Sequence, residues 1–319
     1  MTTTAAVIVN FKTARLTVAC VASLRADGVD EIVVVDSGSA DDCGPRLAAA
    51  DPEAVFVPLV RNVGYGAAAN AGVARSGAPV VVVTNPDLVV APGTVAALTA
   101  ALDHESNLAV VGPRIDRPDG SRYPSARTFP TLVDAAGHGF AGLVTTDNPW
   151  SRRYLRTGAE AAGPADWVSG ACFAVRRKAW DEVGGFDESY FMFMEDVDLC
   201  WRLRRAGWSV AYEPAGRVTH LEGASRASAP YRMILAHHRS LLRFGWRTGT
   251  RGDRLATPVV AAGLVVRTGI LGARTAVQAR RAKPPPRGPS STLNSPWEGL
   301  RRRRRWRAPL APVEDAPPE

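Results

Sequence analysis

Several short segments of the 319-residue chain place oxygen-bearing side chains at spacings that can do chemistry. In TNPDLVV (84–90), Asn85 and Asp87 follow four valines and a threonine, where a buried strand would end. An N-x-D pair at that place suits a hard divalent cation. Mg2+ or Mn2+ takes oxygen ligands, keeps waters and shares its other positions with phosphate oxygens. An ordinary Asn-Pro-Asp turn has the same letters. In FMFMEDVDLCWR (191–202), Glu195, Asp196 and Asp198 stand together behind an aromatic and methionine run. Three such neighbours cannot all be comfortably ionised unless solvated, paired or metal-bound, so at least one pKa is expected to be raised. A raised carboxylate suits general-base removal of a hydroxyl proton. Helix N-terminal charge is the plainer alternative. Asp198 lies four residues before Arg202, and the two are expected to pair along a helix.

Two further segments point to a ligand with a base and phosphates. VVVDSGSADD (33–42) sets Asp36 at a strand end, followed by small polar residues. A carboxylate there can accept from a nucleobase imide N–H, and it serves equally as a cap at a strand-to-helix turn. RNVGYGAAANAG (61–72) has Gly64 and Gly66 but lacks the third glycine of a dinucleotide fingerprint at its usual place, and it follows the third strand rather than the first. That disfavours a dehydrogenase. His220, in HLEGAS, is a lone histidine and by itself structural; beside the Asp of an N-x-D pair it completes a metal shell.

The elements that must position these residues follow from the apolar pattern. Strands are expected at 5–11, 31–36, 54–59 and 79–85, separated by a helix at 13–26 and a glycine-containing turn opening a helix within 62–76. Near-continuous Val/Ile runs between helices predict a parallel sheet covered on both faces, with ligands at the carboxyl ends of its strands. Asn10, Asp36, Asn62, Asn85 and Asp87 all fall at or beyond strand ends. Later, 170–180 reads as a strand entering a helix, 195–207 as a helix stopped by Gly207, and 208–214 as a strand ending before VTHLEG (218–223).

The formal net charge of +8 is unevenly placed: residues 231–319 carry 18 basic and 5 acidic residues, and residues 1–230 carry 21 and 26. That asymmetry predicts a polyanionic partner for the back portion. Nucleic acid is disfavoured, since the basic residues lie outside the expected folded part and lack stacking aromatics beyond Trp306. Four scattered cysteines with no C-x-x-C pair argue against zinc or a disulfide framework and for a reducing compartment. The first ten residues lack a basic n-region, and 255–273 is an apolar stretch interrupted by Arg267, so neither a secretory signal nor a clean spanning helix is expected. Residues 283–291 read as a disordered linker, and 301–307 as a basic run.

Taken in order, VIVNF, VVVDSGSADD, RNVGYGAAANAG, TNPDL, WVSGACF, GGFDESYFMFMEDVDLCWR and the later His220 resemble the family-2 glycosyltransferases over about residues 5–225. The resemblance implies a GT-A fold: α/β, Rossmann-like, a mostly parallel sheet with helices on both faces, here with a helical C-terminal extension. Domain limits of 1–230, 231–282 and 283–319 follow as expectations. Within the family, PDGSRYPSARTFPTL, DNPWSRRY and FMEDVDL look like rhamnosyltransferases acting on N-acetylglucosaminyl-diphospho-polyprenol. A dTDP-rhamnose donor, a polyprenyl-diphosphate glycolipid acceptor and Mg2+ or Mn2+ are thereby implied.

Carried over, Asp36 contacts the base, and Asn10 and Asn62 line the nucleotide site. Asp87 and His220 bind the metal, with Asn85 in place of the first acid of the family's D-x-D. Asp196 is the catalytic base, with Glu195 orienting it or the acceptor, and Trp167 and Gly170 belong to the acceptor loop. His237, His238 and Arg239 are candidates to meet the acceptor diphosphate. A lipid acceptor implies a cytoplasmic enzyme held peripherally at an anionic membrane surface, with 255–281 as an amphipathic helix in the interface. A UDP-galactofuranose or UDP-hexose donor, or a catalytically silent GT-A interaction protein, are the alternatives.

Overall fold

The computed structural model describes residues 2–129, 141, 145, 148–150, 161–221 and 230–281. Met1–Ala273 form one compact unit and Arg274–Glu319 a second, of which the described part is the end of a helix. The linker and arginine run expected in 283–319 lie outside the described residues.

Four strands begin the chain: β1 (Thr4–Asn10), β2 (Glu31–Asp36), β3 (Val55–Pro58) and β4 (Val80–Thr84). They pair in parallel, with Asn10 opposite Asp36 at the carboxyl edge. After β5 (Leu88–Val90) and β6 (Leu108–Asp116) come the short strands β7 (Arg122–Tyr123), β8 (Ala126–Arg127), β9 (Gly163–Pro164) and β10 (Trp167–Val168), then β11 (Cys172–Arg176) and β12 (Ser209–His220). The main sheet runs β3-β2-β1-β4-β11-β6-β12-β5, with β11 antiparallel to both its neighbours. The expected parallel sheet is therefore mixed in its second half.

Alternation along the strands explains the layering, because a period of two sends successive side chains to opposite faces. Val7, Val9, Val33, Val35, Val81 and Val83 enter one apolar core, and Ala6, Ile8, Ile32, Val34, Val80 and Val82 enter the other. Helices α1 (Ala14–Ala26), α2 (Cys43–Ala50) and α4 (Thr94–His104) cover the second of these cores, while α3 (Tyr65–Val73), α5 (Arg177–Val183) and α6 (Glu195–Arg205) cover the first. The fold is α/β with helices on both faces, as the Val/Ile runs predict.

One strand departs from expectation. β12 does not stop at Glu213 or Pro214 but continues to His220 through a register irregularity between Glu213 and Arg217. Ala215-Gly216 lets the strand bulge instead of ending it. Beyond the irregularity β12 pairs with β5, and His220 stands opposite Leu88.

The chain ends in two long helices, α7 (Pro230–Thr248) and α8 (Arg251–Arg281). Leu241, Phe244 and Leu264 insert into the core that α6 helps to build. Among the described residues no helix is long and apolar enough to cross a membrane.

Candidate active site

A cavity of about 550 Å³ opens at the carboxyl ends of the sheet. Asn62, Asn85, Asp87, Trp167, Gly170, Glu195, Asp196 and His220 all line it, although they come from widely separated parts of the chain. Strand ends and the head of α6 converge here because each strand delivers its last residue to the same edge.

On the β5–β12 side, His220 Nε2 lies 3.0 Å from Asp87 Oδ1, with both residues buried. The continuation of β12 creates this pair. Two ligands on adjacent octahedral positions at about 2.1 Å from Mg2+ are about 3 Å apart, so the spacing fits a shared cation. His220 Nδ1 is buried with no hydrogen-bond partner among the described residues. No group of three or more His, Cys, Asp or Glu that could hold a metal occurs among the described residues. A cation here would rest on these two protein ligands and take its remaining positions from phosphate and water.

At the head of α6 the three neighbouring carboxylates separate by environment. Asp198 is wholly buried and bonded to Arg202 Nε at 2.6 Å, and the same guanidinium donates to the carbonyls of Val183 and Gly185. That pair is structural, as its spacing predicts. Glu195 is buried, and its Oε2 has no partner among the described residues. Desolvation first, then the charge of Asp196, pushes Glu195 up to about 8. Burial raises Asp196 as well, opposed by hydrogen bonds from the Gly170 and Val197 N–H groups to its carboxylate at 2.7 and 2.9 Å. Those two donors favour the ionised form of Asp196, while Glu195 is helped only by its own backbone N–H, so the proton shared at neutral pH sits on Glu195. Gly170 packs closely on the acid: a Cβ there would lie 3.1 Å from Asp196 Cβ and 3.2 Å from Asp196 Oδ2, so any side chain at 170 would push on the carboxylate.

Asn10 and Asp36 are not on the cavity wall. Asn10 is fully buried; its Oδ1 accepts from Thr13 and Thr17, and its Nδ2 donates to Asp36 Oδ1 at 2.7 Å. Ser39 Oγ also donates to Asp36 Oδ1. Asn10 therefore holds Asp36 rather than reaching a ligand directly, and Ser37 is the neighbour that lines the cavity. Asn62 does line it, while its Oδ1 accepts from Gly64 N at 2.9 Å.

Several wall residues escape the sequence reading. Arg127 lies 5.0 Å from the Trp167 ring centroid and 5.5 Å from that of Tyr123, a stack made by β8 pairing with β10, where Trp167 stands opposite Arg127. Its charge acts to lower Asp196. Tyr65 Oη donates to Gly170 O at 2.8 Å, bracing the same turn. From the C-terminal helices come Met233, Ile234 and Arg267, beside the expected His237 and His238; the expected Arg239 is exposed and does not line the cavity. These pairings connect segments far apart in sequence, so no spacing signals them.

Comparison with known proteins agrees with the geometry. The family described as "Glycosyltransferase like family 2" matches residues 2–234. The N-acetylglucosaminyl-diphospho-decaprenol L-rhamnosyltransferase of Mycobacterium tuberculosis is 35% identical over 271 residues, covering 79% of this chain and 88% of that protein. Rhamnosyltransferase WbbL of Escherichia coli K12 is 33% identical over 120 residues, 38% of this chain and 43% of that one. Among solved structures, the mannosyltransferase PcManGT of Pyrobaculum calidifontis, in complex with GDP-Man and Mn2+, superposes with a TM-score of 0.54 at 15% identity, covering 88% of this chain and 81% of that one. GalNAc-T7 with UDP, GalNAc and Mn2+ gives 0.52 at 17% identity, covering 70% of this chain and 44% of that one. These likenesses carry the GT-A fold, and the sequence matches carry the family. With its acid pair at the head of α6 and its Asp87–His220 pair at the sheet edge, the chain belongs to glycosyltransferase family 2.

Proposed function

We propose that the protein transfers L-rhamnose from dTDP-rhamnose, with inversion, to N-acetylglucosamine carried on a polyprenyl diphosphate, in the synthesis of a cell-wall polysaccharide. The observation that carries this reading is the Asp196 carboxylate on the wall of a cavity shared with Asp87 and His220. Support for sugar and acceptor comes from the 35% identity to the decaprenol-linked rhamnosyltransferase.

In this mechanism Asp196 takes the proton of the acceptor hydroxyl as its oxygen bonds to the anomeric carbon. The bond from that carbon to the diphosphate breaks, and the nucleoside diphosphate departs. No covalent sugar–enzyme intermediate is required, since one base and in-line attack suffice for inversion. Protonated Glu195 adds no second charge beside the base and can orient Asp196 or the acceptor. Asp87 and His220 hold Mg2+ or Mn2+, which when bound supplies positive charge against the leaving diphosphate. Asp36, held by Asn10 behind the wall, fixes the turn that brings Ser37 to the nucleotide end, with Asn62 and Asn85 along the nucleotide and Trp167 and Gly170 on the acceptor side.

Membrane association belongs to the same proposal. Leu255, Val259, Val266 and Ile270 are exposed on one side of α8, opposite the buried Leu264, and the exposed Val265 lies away from them. The helix thus carries an apolar strip but not the full amphipathic division expected from the sequence. Such a stripe suits a helix lying in an interface, near a lipid-borne acceptor at the cytoplasmic leaflet.

The test is calorimetry of dTDP-rhamnose, UDP-glucose, UDP-galactofuranose and GDP-mannose, each with and without Mn2+, on wild type and Asp196→Asn. The expected result is Mn2+-dependent preference for dTDP-rhamnose in both proteins, with transfer lost at least ~1000-fold in D196N. Preference for a UDP-sugar overturns the rhamnosyl assignment; undiminished transfer by D196N overturns the base.

A further inference from the structure

Arg127 is built into the wall beside the acid pair. Strand β8 pairs with β10, so that Arg127 stands opposite Trp167; Arg127 O accepts from Asp166 N at 3.1 Å, and Thr128 O accepts from Trp167 Nε1 at 2.9 Å. The guanidinium is fixed as well. It lies 5.0 Å from the Trp167 ring centroid and 5.5 Å from that of Tyr123, and its Nε donates to Pro124 O at 2.8 Å. Both aromatic residues line the same cavity.

Its remaining donors have no use within the described protein. Among the described residues neither Nη of Arg127 makes a hydrogen bond and the group forms no ion pair, although it is half-buried and lines the cavity. Arg267, the other guanidinium on the described wall, donates to His238 Nε2 at 2.9 Å. Burial raises Asp196, and the charge of Arg127 is near enough to oppose it, yet Asp196 takes its hydrogen bonds from Gly170 and Val197 instead. A half-buried cation left unneutralised is costly, and pairing it with that carboxylate would block the base. The stack and the Pro124 carbonyl hold the two apart. A guanidinium held in this way, with both Nη groups open, matches two oxygens of a phosphate or diphosphate.

Its neighbours indicate which phosphate. The leaving diphosphate of a nucleotide sugar belongs with the Asp87–His220 pair, at the β5–β12 edge. Arg127 belongs to the strand pair that leads from Trp167 into Gly170, whose N–H holds Asp196. An acceptor sugar that carries a diphosphate would set its hydroxyl at the base and its phosphates one sugar ring away, on this side. We propose that Arg127, fixed by Trp167 and Tyr123, forms the subsite for the diphosphate of the lipid-borne acceptor. The inference rests on the acceptor class proposed above and assigns a residue to it. Tyr123 also meets the His220 ring, with centroids 6.3 Å apart, so the donor diphosphate is the competing source of the same chemistry.

The experiment uses full-length protein, wild type, Arg127→Gln and Arg127→Lys, with dTDP and Mn2+ at saturation to fill the nucleotide site. Farnesyl diphosphate is titrated in, with farnesol as the phosphate-free probe, and dTDP-rhamnose affinity is measured separately on the same preparations. Wild type should bind farnesyl diphosphate over farnesol. R127Q should bind the diphosphate about tenfold or more weakly, the range for losing a charge-assisted hydrogen bond, with nucleotide-sugar affinity unchanged. R127K, which keeps the charge but not the fork, should fall between wild type and R127Q. Equal diphosphate binding by R127Q overturns the subsite alone. If R127Q loses both ligands, R127K decides: selective weakening of the diphosphate supports the subsite, and any other pattern overturns it, because Arg127 would then serve the donor phosphates or the fold. If wild type binds the nucleotide sugar but does not discriminate farnesyl diphosphate from farnesol, the prenyl-diphosphate acceptor fails first and the subsite with it.

Discussion

At the scale of single residues, the site depends on two adjacent acids made unequal by their hydrogen bonds. Asp196 receives two backbone N–H donors, and Glu195 Oε2 receives none among the described residues. A carboxyl raised to about 8 in the fold, against 4.5 as its ordinary value, binds more protons folded than unfolded between those pH values. Stability therefore falls as pH rises through that window and levels off above it. Glu195→Gln removes the titration. The variant should gain stability relative to wild type between pH 5 and pH 8, by an amount on the order of a few kcal/mol. Urea unfolding at the two pH values checks this, and a pH-independent difference would show that Glu195 titrates normally. The acids were legible from their adjacency; which one keeps its proton was not, because Gly170 is 26 positions away from its bonding partner.

At the scale of elements, the loop before α6 is held in an unusual backbone conformation. Phe193 and Met194 both have a φ of 67°, so two non-glycine residues in succession adopt the left-handed region just before the acid pair. Such residues persist only when their surroundings over-determine them. Here Tyr65 N donates to Phe191 O at 3.1 Å, Ser240 Oγ donates to Met192 O at 2.9 Å, and Arg247 of α7 bonds Asp187 and approaches Asp198. Helix α7 thus braces the loop that leads into the acid pair. Gly64 is the tightest clamp: its φ of 92° and ψ of 165° suit glycine alone, and a Cβ there would lie 2.3 Å from Phe191 O. Gly93, with a φ of 82° and open space around its Cβ position, is the control. Gly64→Ala should cost about 3 kcal/mol or more and reduce transfer, and Gly93→Ala about 1 kcal/mol with transfer retained. Equal losses in chemical denaturation would mean that the Phe191 carbonyl yields to the methyl group.

At the scale of the whole molecule, charge and exposed apolar surface are distributed unevenly along the chain. The arginine run 301–307 lies in the back portion, whose 18 basic residues face only 5 acidic ones. Basic residues near an anionic surface contribute about 1 kcal/mol each, so tail and α8 stripe should act together. A chain ending at 282 should float with anionic vesicles at least ~10-fold less than full length, and a Val259→Glu/Val266→Glu variant should also lose flotation. Equal flotation of the shortened chain would remove the tail from the attachment.

How far the sequence carries the reading follows from the range of the interactions. Val/Ile runs report two-faced burial locally, so the early strands, their covering helices and the edge that gathers Asn62, Asn85 and Asp87 were readable from neighbouring residues alone. The Asp198–Arg202 pair was readable for the same reason, being one helical turn. What the tertiary structure decided came from contacts between distant segments. The bulge that carries β12 on to His220 is set by pairing with β6 and β5, and the Arg127–Trp167 stack by β8 meeting β10. Which residues of the C-terminal helices reach the cavity depends on how α7 and α8 pack, through Leu241, Phe244 and Leu264, onto the core behind α6. Side-chain periodicity shows that a helix has an apolar face; only the packed partner determines which of its charged residues turns toward the cavity.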